Sequence, residues 1–233
     1  MTYNDIHEGI FLSRPNRFIA EVEVYGQIEK CHVKNTGRCK ELLVPGARVY
    51  VNRSDKPERV TKYDLISVWK GERLVNMDSQ APNKVFLEHL KSGRYLSGIT
   101  LIKPEVKHGN SRFDFYVEAE ELQPYGKRKN FIEVKGVTLE IGGAAFFPDA
   151  PTERGVKHLK ELSQLAKEGF EAHVIFVIQM KDISYFSPNN ITHPAFGEAL
   201  KEAQKVGVTV TAFECAVKTN SLVIGNSVPA ILG

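Results

Sequence analysis

Between Arg17 and Met77 apolar and polar residues alternate in five short runs, RFIAEVEV, QIEKCHVK, ARVYVN, DLISVWK and RLVNM. Turn-forming residues separate them: Gly26, Pro45-Gly46, Asp55-Lys56-Pro57 and Gly71. A period of two places alternate side chains on opposite faces of a strand, so each run predicts a strand with one face toward a core. Five strands packed so closely predict a small barrel of the oligonucleotide-binding type. Between the second and third runs, NTGRCKELLVPG predicts a helical turn capped by Thr36 and stopped by Pro45.

After DSQAPN the pattern changes. KVFLEHLKSG reads as a short helix ended by Gly93, followed by strands in GITLI, SRFDFYVEAE and NFIEVKGVTLEI. TERGVKHLKELSQLAKEG, with Thr152 as N-cap and Gly169 at the end, predicts a long helix packed through Val156, Leu159, Leu162, Ser163 and Ala166. The strand AHVIFVIQM, the helix PAFGEALKEAQKVG and the strand VTVTAFEC complete the order. HVIFVI is apolar on both faces and reads as a central strand. The expected fold is α/β, with a mixed sheet: an N-terminal five-stranded barrel over residues 1–80, then an α-β-β-β-α-β domain over residues 81–233.

Composition narrows the function classes. The 233 residues carry 31 Lys and Arg against 28 Asp and Glu, a formal net charge of +3. Such a balance excludes a global field as the means of holding nucleic acid and leaves a local basic patch. The first twenty residues lack a basic segment followed by an apolar stretch, and the run around Val174–Ile178 is far too short to cross a bilayer, so a cytoplasmic protein without a membrane partner is expected. Cys31, Cys39 and Cys215 form no C-x-x-C pair, which argues against a disulfide scaffold or a structural zinc site.

Chemistry concentrates in FIEVKG. Glu133 and Lys135 share one strand face while Ile132 and Val134 occupy the other. A charged pair of this kind is either a solvated ion pair or a site. Glu105-Val106-Lys107 repeats the pattern elsewhere and acts as an internal control. Glu133 differs in having an aspartate on the preceding strand: in SRFDFYVE, parity puts Arg112, Asp114, Tyr116 and Glu118 on one face, opposite Phe113, Phe115 and Val117. A hairpin through EELQPYGKRK, turning at Pro124 and Gly126, brings Asp114 beside Glu133 and Lys135. Two carboxylates supply oxygen ligands for Mg2+ or Mn2+, and the lysine steadies an attacking water or neutralises charge on a scissile phosphate. Asp149, Arg154, Lys157 and His158, around the start of the following helix, are expected to line the cleft. Gly155 in that first turn suggests close approach of a strand or a phosphate.

The trio with its strand order resembles the PD-(D/E)XK nuclease superfamily, in which an aspartate on the second core strand and Glu-x-Lys on the third bind metal and drive phosphodiester hydrolysis. That resemblance implies metal binding by Asp114 and Glu133, a catalytic role for all three residues, and a match of Glu88 to an additional acidic position. The longer stretches FPDAPTERGVKHLKEL, SRFDF, FIEVKG, NTGRCKELLVPG and VIFVIQ resemble the sugar fermentation stimulation protein A family over nearly the whole chain. This second resemblance implies an oligonucleotide-binding-type barrel, a nuclease-like domain, DNA binding and a regulatory part in sugar (maltose) metabolism; the metal-dependent nuclease chemistry of the trio extends the expected partners to RNA. The alternative it leaves open is a non-catalytic DNA-binding regulator on a nuclease fold. His193 departs from the family, which is expected to carry an acid there. Expected nucleic-acid contacts are Arg38, Arg112, Arg154, Lys157 and His158, with Arg14, Arg17, Lys34, Lys40, Arg48, Phe18 and Tyr50 as further barrel positions.

Overall fold

The computed structural model describes residues 1–35, 37, 39–56, 58–121 and 126–233. The expected Thr36 cap, the Arg38 contact, the turn residue Pro57 and the hairpin turn at Pro124 lie outside the described residues.

The first half is a closed barrel. All five strands read from the alternation are present, as β2 (Ile19–Val24), β3 (Gln27–Val33), β4 (Arg48–Arg53), β5 (Tyr63–Lys70) and β6 (Arg73–Asn76). A further strand, β1 (Ile6–Asn16), precedes them and enters the barrel between β2 and β4. Closure comes from parallel pairing of β3 with β5, through Cys31↔Tyr63, His32↔Asp64 and Val33↔Leu65. The barrel therefore consists of β1 to β5, and β6 extends the β5 edge. Gly9 lets β2 approach β1 closely, because a Cβ there would lie 2.6 Å from Val22 Cγ1 and 2.7 Å from the Glu23 carbonyl oxygen.

The second half follows the expected order with additions: α1 (Ala81–Lys91), β7 (Ile99–His108), β8 (Ser111–Glu121), β9 (Gly126–Val137), β10 (Leu139–Ile141), β11 (Ala144–Phe147), α2 (Glu153–Lys167), β12 (Glu171–Ile178), β13 (Phe186–Pro188), α3 (Pro194–Lys205), β14 (Thr209–Lys218) and β15 (Ser221–Val228). The main sheet has the order β15-β14-β12-β9-β8-β7, with β9, β12 and β14 parallel and the outer pairs antiparallel. As its apolar run predicts, β12 is central and buried almost throughout. Strands β10, β11 and β13 form a separate small sheet.

Apolar side chains cover both faces of the main sheet. Phe86, Leu90, Phe115, Ile132 and Val134 pack in the layer that contains α1. Leu159, Leu162, Phe176 and Phe196 belong to a second layer, beneath α2 and α3, continuous with the barrel interior. Polar links reinforce the junction. Lys70 Nζ lies 2.6 Å and Arg73 Nη1 3.1 Å from the Glu140 carboxylate, and the Asn76 amide donates to the Gln179 carbonyl at 2.9 Å. The first residues cross over as well, with Thr2 bridging Ser221 of β15.

Candidate metal and phosphate site

The ladder between β8 and β9 runs from Glu121↔Gly126 to Phe115↔Ile132 and ends there. One more step in register would set Asp114 opposite Glu133. Instead the strands part, and Asp114 Oδ2 accepts the Val134 amide at 2.7 Å, replacing a lost ladder bond with a side chain. Asp114 Oδ1 accepts from Asn83 Nδ2 of α1 at 2.7 Å.

On β9, parity is as expected: Glu133 and Lys135 face the α2 layer and Ile132 and Val134 the α1 layer. Parity on β8 is corrected. Phe113 packs on Phe131 and near His158, at centroid distances of 5.5 and 6.1 Å, whereas Phe115 packs on Phe86 of α1 at 6.0 Å. Leaving the ladder at Asp114 turns the strand, so the two phenylalanines enter different layers.

Glu133 is only 4% exposed. Its Oε1 accepts from Lys135 Nζ at 2.6 Å and from Nδ1 of His158 on α2. Its Oε2 is buried and has no hydrogen-bond partner among the described residues. Leaving a buried carboxylate oxygen unpaired costs about 1–3 kcal/mol, so the position calls for a ligand. Burial acts to raise the Glu133 pKa, but the His158 hydrogen bond and the Lys135 charge outweigh it and hold the group below the ordinary range. Asp114 moves the opposite way: burial first and then the Glu133 charge push its carboxyl up. Two carboxylates that interact in this manner favour a cation between them. Among the described residues there is no cluster of three or more His, Cys, Asp or Glu able to hold a metal. Mg2+ ordinarily takes only one or two protein carboxylates, completing its shell with water and substrate phosphate, and the pair with its open oxygen is a donor set of that kind.

The control pattern behaves differently. The Glu105 side chain is 72% exposed and pairs with Arg112 at 3.4 Å. Arg112 is thus exposed and occupied on the β7–β8 hairpin. Glu88 pairs with the Met1 amino group at 2.7 Å with its side chain 58% exposed, so the α1 residue hydrogen-bonded to Asp114 is Asn83 and not Glu88. No sequence pattern marks Asn83; only the packing of α1 on β8 and β9 reveals it.

Around the start of α2, Thr152 caps as expected, accepting the Gly155 amide at 3.1 Å. Gly155 is explained differently. A Cβ there would lie 2.9 Å from Thr152 Cγ2 and 3.1 Å from Phe196 Cε2, so the protein neighbours requiring the missing side chain are the cap and α3, not a strand. His193, the N-cap residue of α3, accepts the Thr152 amide at 3.2 Å and faces Glu153 at 3.3 Å, tying the starts of the two helices together. Arg154 is exposed and donates to His158 Nε2 at 3.4 Å. Lys157 is exposed and donates to the Asn110 carbonyl at 2.9 Å. His158, expected as a nucleic-acid contact, is buried under Arg154 and bonded to Glu133. Its position on the inner face of the helix removes it from the surface.

The barrel reaches the rim of this region. Gly37 lies against Asp149, leaving no room for a Cβ. Asn35 Oδ1 accepts the Gly37 amide at 2.8 Å, while Arg14 donates to the carbonyls of Gly37 (3.0 Å), Asn35 (2.8 Å) and Arg17 (2.7 Å). Arg14 is therefore a clamp for the Asn35–Gly37 loop. Lys34 pairs with Asp64 at 3.1 Å and Asp78 at 3.6 Å. Tyr50, expected to stack on bases, is buried with its hydroxyl on Glu8 at 3.1 Å. Phe18 remains exposed beneath the Arg17 guanidinium at 4.7 Å.

No helix among the described residues is long and apolar enough to cross a membrane. The family model for the SfsA N-terminal OB domain matches residues 12–77, and that for the sugar fermentation stimulation protein RE domain matches residues 80–221. A sugar fermentation stimulation protein homolog of Desulfitobacterium hafniense (strain Y51) is 60% identical over 228 residues, covering 98% of this chain and 97% of its own. One from Clostridium beijerinckii is 56% identical over 232 residues, with 100% of both chains covered. The solved structure of Pyrococcus furiosus SfsA in complex with Ca2+ superposes with a TM-score of 0.87 at 29% identity, covering 99% of this chain and 98% of that one.

Proposed function

The chain belongs to the sugar fermentation stimulation protein family, and from that premise we propose that it is a DNA-binding protein whose second domain cleaves phosphodiesters at Asp114, Glu133 and Lys135 with Mg2+ or Mn2+. The observation that carries this reading is the buried Glu133 carboxylate with one oxygen unpartnered, beside Asp114 at the parting of β8 and β9. The Pyrococcus furiosus relative was solved in complex with Ca2+, which supports a divalent-cation role for this chain.

Asp114 and Glu133 Oε2 would hold the ion, and Asn83 and the Val134 amide fix the Asp114 carboxylate in place. When bound, the ion supplies charge neutralisation at a phosphate and a more acidic water. Lys135, 2.6 Å from Glu133 Oε1, keeps its ammonium at the carboxylate pair, where it meets a phosphate oxygen as negative charge builds. Arg154, exposed on the first turn of α2, and Arg17 with Phe18 on the barrel contact the nucleic-acid backbone and its bases. Arg38 and Arg112 complete the backbone contacts in this reading, with RNA as a further substrate. The cytoplasm, where DNA is present, suits three cysteines that are all free.

Purified protein incubated with single-stranded, duplex and supercoiled DNA and with RNA, plus Mg2+ or Mn2+, is expected to cut at least one of them. Asp114→Asn should lose at least about 100-fold in rate, the upper end of what even an outer-sphere partner of a metal contributes. Equal cutting by Asp114→Asn would sink the reading. A second reading, a non-catalytic DNA-binding regulator of sugar metabolism, draws on the fact that both Asp114 oxygens are already hydrogen-bonded. It predicts salt-dependent DNA binding that is indifferent to chelator.

A further inference from the structure

Resting on the reading of Asp114 and Glu133 as a divalent-cation site, we infer that His158 is a positioning residue that fixes the orientation of the Glu133 carboxylate, so that one oxygen is held by donors and the other is offered to the ion, and that Arg154 holds the histidine in the form this requires. A free carboxylate rotates about its terminal torsion and points its two equivalent oxygens in any direction. Glu133 is restrained from doing so. Two donors, Lys135 Nζ and His158 Nδ1, converge on Oε1, and the result is that Oε2 alone is left open within a buried surround. Turning the carboxylate plane away from the two donors would lose both hydrogen bonds, whereas a half-turn only exchanges two equivalent oxygens and leaves the same open position.

The histidine is itself oriented. Arg154 carries only donors, so its Nε–H directed at Nε2 makes that ring nitrogen the acceptor and leaves the hydrogen on Nδ1, facing Glu133. The ring is packed in place beside Phe113 and is almost fully buried. A line of contacts thus runs from an exposed guanidinium at the helix start, through a buried imidazole, to the carboxylate oxygen opposite the open one. The other buried imidazoles serve different ends: His173 bridges Tyr95 and Asn130, and His193 joins the starts of α2 and α3. Only His158 of these three touches a site carboxylate.

The test is Mn2+ affinity of the intact protein, read from loss of the free-ion electron paramagnetic resonance signal without nucleic acid. His158→Leu keeps the bulk but removes the donor and should weaken Mn2+ binding about 10- to 100-fold. His158→Asn, whose amide nitrogen stands near the place of Nδ1, should recover most of the parent affinity, a rescue that a merely space-filling role would not produce. Arg154→Ala, at an exposed position, should weaken binding by a smaller factor. Parent-like affinity in His158→Leu, or equal losses in His158→Leu and His158→Asn, would overturn the positioning role. Unchanged affinity in Arg154→Ala would overturn the part assigned to the arginine. Failure of the parent itself to bind Mn2+ would instead remove the cation reading on which the inference rests.

Discussion

Gly136, the last residue of FIEVKG, offers a stringent test of how the site is built. A Cβ at this position would lie 2.7 Å from Pro82 Cγ and 2.8 Å from Gln179 Oε1. Carbon atoms pack comfortably at about 3.5–4.0 Å, so Gly136→Ala requires the first turn of α1 to move by several tenths of an ångström. Neither neighbour yields easily. Pro82 is a rigid ring, and Gln179 is buried with its amide nitrogen on Asn76 Oδ1 at 2.8 Å and the Asp78 carbonyl at 3.0 Å. Overpacking of this kind costs about 1–3 kcal/mol and loosening a buried hydrogen bond about 1 more, which together give a loss of about 2–4 kcal/mol. For a chain of this length that corresponds to a melting temperature lower by about 5–15 °C, measurable by circular dichroism. The double substitution Pro82→Ala with Gly136→Ala removes the Cγ contact and should recover part of the loss. A melting temperature for Gly136→Ala within about 1 °C of the parent would refute the packing argument.

Other expectations follow from buried ionisable groups. Burial and then the Arg128 charge push the His173 imidazole down to about 4, while the unfolded chain titrates near the ordinary 6.5. Its contribution is therefore present above pH 6.5 and drains as pH falls toward 4, by about 3 kcal/mol in all, and a pH series of denaturant melts should show a flatter profile for His173→Gln. Burial pushes Cys31, Cys39 and Cys215 up to about 12, so a thiol reagent at neutral pH should label none in the native protein and all three in denaturant. Asp114→Asn removes a carboxylate destabilised by burial and by Glu133; it should raise the melting temperature without metal and abolish any further rise on adding Mn2+.

Much of this arrangement was legible in the order of residues, because the signals involved are local. Alternation locates β2 to β6, and the Thr152 cap and apolar stripe locate α2. Strand β1 is obscured because Gly9 and Pro15 interrupt IHEGIFLSRPN, although Gly9 is what lets β2 approach. Strand β15 is likewise obscured by Gly225 in SLVIGNSV. The Glu-x-Lys pattern alone was uninformative: Glu105 and Glu133 share it, yet one is exposed on a hairpin and the other buried in the central sheet. What separates them is a neighbouring strand and two helices brought from elsewhere in the chain. Asn83 on α1 and the inward face of His158 on α2 belong to that long-range part, which no spacing along the chain encodes.

The central claim is that Asp114 and Glu133 Oε2 hold a divalent cation. Crystals soaked in Mn2+ and measured for anomalous scattering test it most directly. A peak between the two carboxylates, absent in Glu133→Gln, is the predicted result. No peak there at saturating Mn2+, with the carboxylates still ordered, would contradict it.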